Sequence, residues 1–325
     1  MEKFLSCDWG TSSFRLRVVE LNGTKVIAGE NDSPGIAKVF ELWKMAGQPE
    51  ALRFPFYLEP VRQSIGSIQK KLNCSLDGFP LVISGMACST LGMIDLPYKE
   101  VPFYADGSDL ITKAFAATDD FKHDIIFISG ARTESDVMRG EETQLVGCVP
   151  GKEEQLFIFP GTHSKHVTVK EGKAVAIKTY MTGEFFALLS TNSVLSASIE
   201  RPVDSKPGNK KAFEAGVKES LHSNLLHSSF KIRTNDLFHN FSREENFHYL
   251  SGLLIGTEMR ELAGTAGSIT LVTNSQLHAH YELAFDLIME NPGALKFQDA
   301  DEAIVKGQSK IWNRLVKQKL FSDGI

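Results

Sequence analysis

The stretch Asp8-Trp9-Gly10-Thr11-Ser12-Ser13-Phe14-Arg15 decides the fold class of this chain. It lies between two segments of strand composition, Lys3–Cys7 and Phe14–Leu21, and therefore predicts a hairpin whose turn is rich in Gly, Thr and Ser. The backbone N–H groups and hydroxyls of such a turn can bind phosphate oxygens, and an acid at the end of the first strand can hold Mg²⁺ through water. An ordinary polar turn explains this stretch equally well when it is taken alone. The candidate phosphate ligands are Gly10, Thr11 and Ser12, and the candidate metal ligand is Asp8.

A second stretch later in the chain repeats this plan. Gln155–Phe159 predicts a strand, the turn Gly161-Thr162-His163-Ser164-Lys165 follows, and His166–Lys170 predicts the next strand. This turn has no acid before it but adds a lysine. Two such turns predict two related lobes that bind one triphosphate. Neither a Walker sequence nor a dinucleotide fingerprint occurs in the chain, which disfavours the nucleotide sites that those motifs form. The candidate ligands here are Gly161, Thr162, His163, Ser164 and Lys165.

The composition is that of an ordinary globular protein. The chain has 325 residues, of which 42% are hydrophobic and 23% charged, and its formal net charge is -5. A mildly acidic protein has no bulk attraction for nucleic acid, whose binding depends on neutralising phosphates. We also expect no membrane association, because no apolar run approaches the length of a signal peptide or a membrane span. The four cysteines have no C-x-x-C spacing, which favours reduced thiols and a cytoplasmic location.

Strands and helices alternate along the remainder of the chain, which indicates an α/β protein. The additional predicted strands are Pro80–Ser84, Asp124–Ser129 and Ser268–Val272. The predicted helices are Glu59–Leu72, Glu141–Cys148, Gly183–Ser190, Lys211–Leu226, Phe247–Ala263, Gln276–Met289 and Asp301–Leu320.

Two adjacent acids, Glu141 and Glu142, begin one of these helices. Acids at a helix start complement the helix dipole, and that alone could explain the pair. This helix, however, leads into the strand that carries the second turn. An acid there could accept a proton from a substrate hydroxyl and direct that hydroxyl to a phosphoryl group. The residues alone leave open which acid of the pair would be the base.

Two glycines, Gly252 and Gly256, fall within the predicted helix Phe247–Ala263. Glycine inside a helix is unfavourable by ~1 kcal/mol relative to alanine, so the pair requires a reason. Close packing against another helix is one explanation. The passage of an adenosine over the backbone is the functional alternative, and the residues alone leave both open.

Five motifs in this order resemble the 2-dehydro-3-deoxygalactonokinase family of the actin–hexokinase superfamily. They are D-W-G-T-S-S-F-R-L-R from residue 8, V-M-R-G-E-E-T-Q-L-V-G from 137, P-G-T-H-S-K-H-V from 160, Y-M-T-G-E from 180 and L-S-G-L-L-I-G-T-E from 250. The resemblance implies a two-lobed α/β ATPase fold of ribonuclease-H-like topology, with an interlobe cleft that binds ATP. It also implies transfer of the γ-phosphate to the 6-hydroxyl of 2-dehydro-3-deoxy-D-galactonate in galactonate catabolism.

Site residues follow from the resemblance position by position. Asp8 is expected to be the magnesium-associated acid, and Gly252 and Gly256 are expected to border the adenosine. The resemblance to sugar kinases also implies Glu141 as the base, with Glu142 as the second choice. Residues 1–138 would form the N-terminal lobe with the first phosphate turn and the sugar-acid site. Residues 139–325 would form the C-terminal lobe with the second turn and the adenosine site, and the last helix could pack back on the first lobe. The predicted sugar-acid ligands are Arg15, Ser84, Gly85, Met86, Arg139, Thr182 and Glu184, with the two arginines as candidate partners of the substrate carboxylate.

The sequence departs from the family pattern at several positions, which bear on substrate and adenine recognition. Cys88 and Met93 stand in the segment after Ser84, His166 stands where a tryptophan is expected, and residues 272–275 lack an expected glycine. A kinase for another 2-keto-3-deoxy sugar acid is therefore an open alternative. A polyphosphate-type phosphohydrolase of the same superfamily is a second alternative, against which the net charge of -5 argues. A non-enzymatic ATP-binding regulator is a third, against which the presence of Asp8 and of the pair Glu141 and Glu142 argues. The resemblance also suggests a homodimer.

Overall fold

A computed structural model describes residues 2–203, 207–262, 267–289 and 295–322. The strands are β1 Lys3–Trp9, β2 Phe14–Glu20, β3 Val26–Glu30, β4 Leu81–Gly85, β5 Lys99–Glu100, β6 Phe103–Tyr104, β7 Thr112–Phe115, β8 Ile125–Ile128, β9 Ala131–Arg132, β10 Val137–Met138, β11 Gln155–Phe159, β12 Ser164–Lys170, β13 Lys173–Tyr180, β14 Ser268–Thr273 and β15 Leu295–Asp299. The helices are α1 Ile36–Ala46, α2 Arg53–Leu72, α3 Glu141–Cys148, α4 Thr182–Thr191, α5 Pro207–His222, α6 Leu225–Leu237, α7 Arg243–Met259, α8 Ser275–Ile288 and α9 Ala300–Ser322.

The chain divides into two compact units. The first contains residues 1–154, 167–177 and 300–325, and the second contains residues 155–166 and 178–299. This division differs from the predicted boundary after residue 138. Helix α3 belongs to the first unit because it packs tightly on α9, where Gly147 lies against the backbone of Ala303 and Gly307 lies against that of Thr143. The missing side chains at these glycines allow the two helix backbones to approach closely.

The first unit is built on a six-stranded sheet with the order β3-β2-β1-β4-β8-β7. Strand β1 is antiparallel to β2 and parallel to β4, and β4 is parallel to β8. Every residue of β4 and β8 is buried, as expected for central strands covered on both faces. An apolar core that includes Trp9, Tyr57 and Phe127 packs between this sheet and its helices. Because β1 and β4 are parallel neighbours, their carboxyl ends lie side by side at one edge of the sheet.

The second unit contains the parallel strands β11, β14 and β15, with β14 between the other two. Helices α5 and α7 pack closely against one another, and α8 contacts both. The core of this unit includes Phe213, Ile255, Leu271 and Phe285. No described helix is both long enough and apolar enough to cross a bilayer.

The α/β class and most predicted elements are confirmed. Helix α3 has the predicted bounds, and the first turn joins an antiparallel pair as predicted. Helix α2 begins before the predicted Glu59, with Pro60 inside it, and the segment predicted as Lys211–Leu226 is the end of α5 and the start of α6. Ala263, the predicted end of α7, lies outside the described residues. The elements that were not predicted are strands β3, β5, β6, β7, β9, β10, β13 and β15 and helix α1.

Candidate functional site

The first turn is closed by its own backbone. The Gly10 N–H donates to the carbonyl oxygen of Ser13 at 2.8 Å, directly after the last β1–β2 pair. The carbonyls of Gly10 and Thr11 accept from the first N–H groups of α1 at 3.1 and 3.0 Å. The side chains of Thr11 and Ser12 are exposed. Backbone bonds therefore fix the turn, and its hydroxyls remain at the surface, as a phosphate-binding role requires.

Asp8 lies at the end of β1 with its side chain 15% exposed. Its Oδ2 is 3.2 Å from Nη1 of Arg15, whose Nε is 3.7 Å from Oδ1 of Asp301. Burial raises the pKa of Asp8, and the nearby charges of Arg15 and Arg17 oppose that shift. Arg15 was predicted to bind the substrate carboxylate, but the structure pairs it with two carboxylates of the protein itself.

The end of β4 lies beside the end of β1. Gly85 pairs with Trp9 and has φ of 92°, and a Cβ there would lie 2.7 Å from the Trp9 carbonyl oxygen, so that only glycine fits. The Ser84 hydroxyl is buried and accepts from Nε2 of Gln308 at 2.8 Å. Ser84 therefore faces α9, which does not agree with its prediction as a substrate ligand. Met86 follows in a short 3-10 turn and is packed partly into the core.

The two acids of α3 have different environments. Glu142 is fully buried, and its carboxylate accepts from the Gly140 N–H at 2.8 Å and from the Thr143 hydroxyl at 3.0 Å. Burial, with the Glu141 charge as a second cause, raises the pKa of Glu142 to about 8. Glu141 is partly exposed, and its Oε2 accepts from the Arg139 N–H at 2.9 Å. Of the two carboxylates, that of Glu141 is the one a ligand could reach.

The guanidinium of Arg139 is held by the first unit. Nη1 donates to the carbonyl of Cys88, Nη2 lies 3.4 Å from that of Leu96, and the group stacks 4.0 Å from the ring centre of Tyr98. Through these contacts, Arg139 connects the segment that precedes α3 to the segment that follows β4. They do not favour its prediction as the anchor of the substrate carboxylate.

The second turn is closed by side chains. The Gly161 N–H donates to the Ser164 hydroxyl at 3.3 Å, and that hydroxyl is 3.1 Å from the hydroxyl of Tyr281. Ser164 is fully buried and Lys165 is 5% exposed, with its Nζ donating to the carbonyl of His163 at 2.7 Å. Direct phosphate contacts by Ser164 and Lys165 do not fit this geometry, because both side chains lie beneath the turn. Gly161, Thr162 and His163 are exposed, as predicted for ligands.

The start of α4 supports this turn. His163 Nε2 is 2.5 Å from Oε2 of Glu184, and the Glu184 N–H donates to the Thr162 carbonyl at 3.0 Å. The Thr182 hydroxyl donates to Oε2 of Glu258 at 2.5 Å. Thr182 and Glu184 were predicted as substrate ligands, but their side chains instead connect α4 to the turn and to α7.

Glu258 is a residue of this site that the sequence analysis did not single out. It is 2% exposed, and besides Thr182 it contacts Tyr281 at 2.8 Å and His166 at 3.0 Å. The available signal was an acid near the end of an otherwise apolar helical stretch, Leu253–Met259. Such an acid is rarely buried without several partners.

A cavity of about 430 Å³ lies in the second unit beside the turn. Its walls include Gly161 and Thr162 of the turn, and Ser251, Leu254 and Ile255 of α7. Its other walls include Thr182, Gly183, Phe186, Arg201, Phe247, Leu277, His280 and Tyr281.

The structure gives a packing role to Gly252 and Gly256, which were predicted to border the adenosine. Both lie on the face of α7 that packs against α5, where a Cβ at Gly252 would overlap the carbonyl of Phe213 and one at Gly256 would overlap the side chain of Ser220. Close helix packing is their role, because only glycine allows the two backbones to approach so closely.

The residues at the carboxyl end of β1 fit a magnesium ion. No group of three or more His, Cys, Asp or Glu side chains that could enclose a metal occurs among the described residues. Mg²⁺ in kinases usually binds through one or two carboxylates and the phosphates of the substrate and keeps several waters. The partly exposed carboxylate of Asp8, next to the first turn, suits that mode of binding.

The fold places the chain among the two-lobed ATPases of the actin/hexokinase-like class. A Sinorhizobium meliloti protein classed as a 2-dehydro-3-deoxygalactonokinase has a crystal structure that matches with a TM-score of 0.77 at 26% identity, over 96% of both chains. The activator of the 2-hydroxyisocaproyl-CoA dehydratase from Clostridium difficile matches with a TM-score of 0.51 at 9% identity, over 98% of this chain and 97% of that one, which is a likeness of fold alone. Within this class the chain is an ATP-dependent sugar-acid kinase.

The chain belongs to the 2-keto-3-deoxy-galactonokinase family, whose profile matches residues 8–311. A relative from Rhizobium meliloti (strain 1021), named as a probable 2-dehydro-3-deoxygalactonokinase, is 31% identical over 94% of this chain and 95% of its own length. The 2-dehydro-3-deoxygalactonokinase of Escherichia coli (strain K12) is 34% identical over 63% of this chain and 70% of its own length.

Proposed function

We propose that this protein transfers the γ-phosphate of ATP to the 6-hydroxyl of 2-dehydro-3-deoxy-D-galactonate, in galactonate catabolism. The products are 2-dehydro-3-deoxy-6-phosphogalactonate and ADP. The observation that carries this proposal is the family match over residues 8–311, which spans both turns and α3.

Glu141 is the proposed base. Its carboxylate is partly exposed at the start of α3, whereas that of Glu142 is enclosed. In the reaction, the substrate oxygen forms a bond to the γ-phosphorus, the bond from that phosphorus to the β,γ-bridging oxygen breaks, and the hydroxyl proton passes to Glu141. ADP leaves with the bridging oxygen. Phosphoryl transfer of this kind needs mainly positioning and neutralisation of charge.

Asp8 is the proposed residue that holds Mg²⁺ through water beside the first turn. When bound, the ion neutralises charge on the transferred phosphoryl group. Arg15 lies 3.2 Å from the Asp8 carboxylate and 3.7 Å from Asp301, so this arginine keeps a second anionic partner when the metal occupies Asp8.

The cavity of the second unit is the proposed site for the adenosine of ATP. Its volume of about 430 Å³ is in the range of small-molecule sites, and its walls combine apolar and aromatic side chains with a few polar groups. Gly161 and Thr162 of the second turn form part of the same wall, which supports a role for this turn in binding the phosphates of a bound nucleotide, through backbone N–H groups other than that of Gly161. The use of ATP as co-substrate supports a cytoplasmic location, which is part of this proposal.

A kinetic screen tests this function. The protein is incubated with Mg-ATP and each of several 2-keto-3-deoxy sugar acids, and both ADP release and the phosphorylated product are measured. We expect the highest kcat/KM with 2-dehydro-3-deoxy-D-galactonate and very little ADP without an acceptor. A higher kcat/KM with another sugar acid would reassign the substrate. ADP release that is independent of any acceptor would indicate a hydrolase instead.

A further inference from the structure

One buried carboxylate collects hydrogen bonds from three elements of the second unit. Glu258 of α7 accepts from the hydroxyl of Thr182 at the start of α4 at 2.5 Å and from that of Tyr281 in α8 at 2.8 Å. Its Oε1 lies 3.0 Å from Nε2 of His166 in β12. With 2% of its surface exposed, Glu258 would be costly to bury without these partners.

Two routes lead from this carboxylate to the second turn. On the first, the Tyr281 hydroxyl is 3.1 Å from that of Ser164, which accepts from the Gly161 N–H at 3.3 Å. On the second, Thr182 is followed by Gly183, where a Cβ would lie only 2.6 Å from the Gly161 carbonyl oxygen. The turn is therefore contacted from two sides, and the side chains on these two sides, Tyr281 and Thr182, both hydrogen-bond to Glu258.

We propose that Glu258 is the positioning residue of the phosphate-binding turn Gly161–His163. Its carboxylate does not touch the nucleotide. It holds Tyr281 and Thr182, and through them the backbone of Gly161 and Thr162, in the conformation that binds the phosphates of ATP. This inference rests on the proposed function, in which the second turn binds phosphates and the adjoining cavity binds adenosine.

A merely structural role for Glu258 makes a different prediction. A residue that only stabilises the second unit would, when changed, lower the melting temperature without distinguishing one ligand of the cavity from another. A residue that positions the turn acts on the phosphates and leaves the nucleoside unaffected. Adenosine and ADP therefore separate the two roles, since both would use the cavity but only ADP carries phosphates.

The experiment measures the Kd values of adenosine and of Mg-ADP by calorimetry for the wild type, Glu258→Gln and Tyr281→Phe. The matched control is Glu219→Gln, because Glu219 is a carboxylate of the same unit that accepts from Ser228 at 2.9 Å and Lys231 at 2.6 Å, away from the cavity. We expect Glu258→Gln to weaken ADP binding by roughly 10–100-fold, as loss of a hydrogen-bonded buried charge commonly does, and Tyr281→Phe to weaken it less. Adenosine binding of Glu258→Gln should stay within about twofold, and Tyr281→Phe, whose side chain borders the cavity, should lose more affinity for ADP than for adenosine. The control should bind both ligands like the wild type.

Two outcomes would overturn the inference while leaving the proposed function intact. In one, both variants bind ADP as tightly as the wild type. In the other, adenosine and ADP weaken by the same factor. If Glu258→Gln does not fold, Tyr281→Phe, which removes one oxygen and keeps the ring, decides the matter by the same comparison. A wild-type protein that binds neither ligand would instead refute the proposed nucleotide site, and the inference with it.

Discussion

The two turns of this protein share the pattern G-T-x-S but are stabilised in different ways. The first is closed by backbone hydrogen bonds, and its Thr11 and Ser12 side chains are exposed. The second is closed through the buried hydroxyl of Ser164, and the next residue, Lys165, is buried as well. Both turns therefore expose their second and third residues, and they differ at the fourth residue, since Ser13 is half-buried whereas Ser164 lies in the interior.

This difference indicates that the first region holds the proposed catalytic groups, whereas the buried groups of the second region support its turn. Near the first turn, the carboxylates of Asp8 and Glu141 are partly exposed at the ends of elements, where a ligand can meet them. Near the second, the side chains of Lys165, His166 and Glu258 are buried; Lys165 donates to the His163 carbonyl, and His166 lies within hydrogen-bond distance of Glu258. Substitutions in the first region should therefore change turnover more than stability, and those in the second should change stability and nucleotide binding more than turnover.

The largest expected effect in the first region is that of Glu141→Gln. Gln keeps the size of the side chain and a hydrogen-bond acceptor but cannot take the proton. We expect kcat to fall by ~10²–10⁴-fold while the KM values for ATP and sugar acid and the melting temperature stay near those of the wild type. Steady-state kinetics with coupled ADP detection and a thermal melt measure these quantities. A folded variant with normal kcat would place the base elsewhere.

Glu142→Gln is the matched control. Burial raises the pKa of Glu142 to about 8, so much of this carboxyl is protonated at pH 7 and glutamine resembles that neutral form. Its kcat should change far less than that of Glu141→Gln. In the unfolded chain this carboxyl has its ordinary pKa of 4.5. The free energy of unfolding of the wild type should therefore fall as the pH rises from about 4.5 through about 8, by at most ~1.4 kcal/mol per pH unit. Glu142→Gln should lack this pH-dependent contribution.

Asp8→Asn should have the next largest effect. Asparagine fits the same space but carries no charge to hold the hydrated ion, so we expect a loss of roughly 10–100-fold in rate at limiting Mg²⁺, partly restored when Mg²⁺ is raised. The control is Asp301→Asn, which removes a carboxylate from the same ion cluster at a side chain that is 50% exposed, and it should keep its activity within about twofold. Equal Mg²⁺ dependence in Asp8→Asn and the wild type would contradict the assignment.

The fold was largely predictable because its signals are local. Strand β1, the turn and β2 follow one another within a few residues, and helix α3 begins at its pair of acids as predicted. The domain boundary was not predictable in the same way. It depends on the packing of α3 against α9, which involves Gly147 and Gly307, residues far apart in the chain.

Candidate site residues could be chosen from the sequence where the chemistry depends on residue type. They were harder to choose where the role depends on whether a side chain points to solvent or into the interior. Asp8 and Glu141 are partly exposed residues at element ends, as their proposed roles require. Nothing in the local sequence shows that the first four residues of β12 are all buried, because a strand usually alternates its side chains between two faces. Glu258 was missed since its partners come from three distant segments.

Lys165→Met tests the second region and should have the smallest effect. Methionine has a similar length but removes the amine, which in the structure donates to the His163 carbonyl at 2.7 Å beneath the turn. If Lys165 supports the turn, the free energy of unfolding should fall by about 1 kcal/mol, the KM for ATP should rise less than about threefold, and kcat should stay near that of the wild type. If the amine instead reached the phosphates directly, loss of its charge would raise that KM by about tenfold or more.

Lys178→Met is the control. The side chain of Lys178 is 67% exposed and pairs with Glu261, and this pair should contribute less than about 1 kcal/mol to the free energy of unfolding. Denaturant unfolding and ATP saturation curves for both variants decide between support and direct binding, and a large rise in KM with unchanged stability would restore Lys165 as a phosphate ligand.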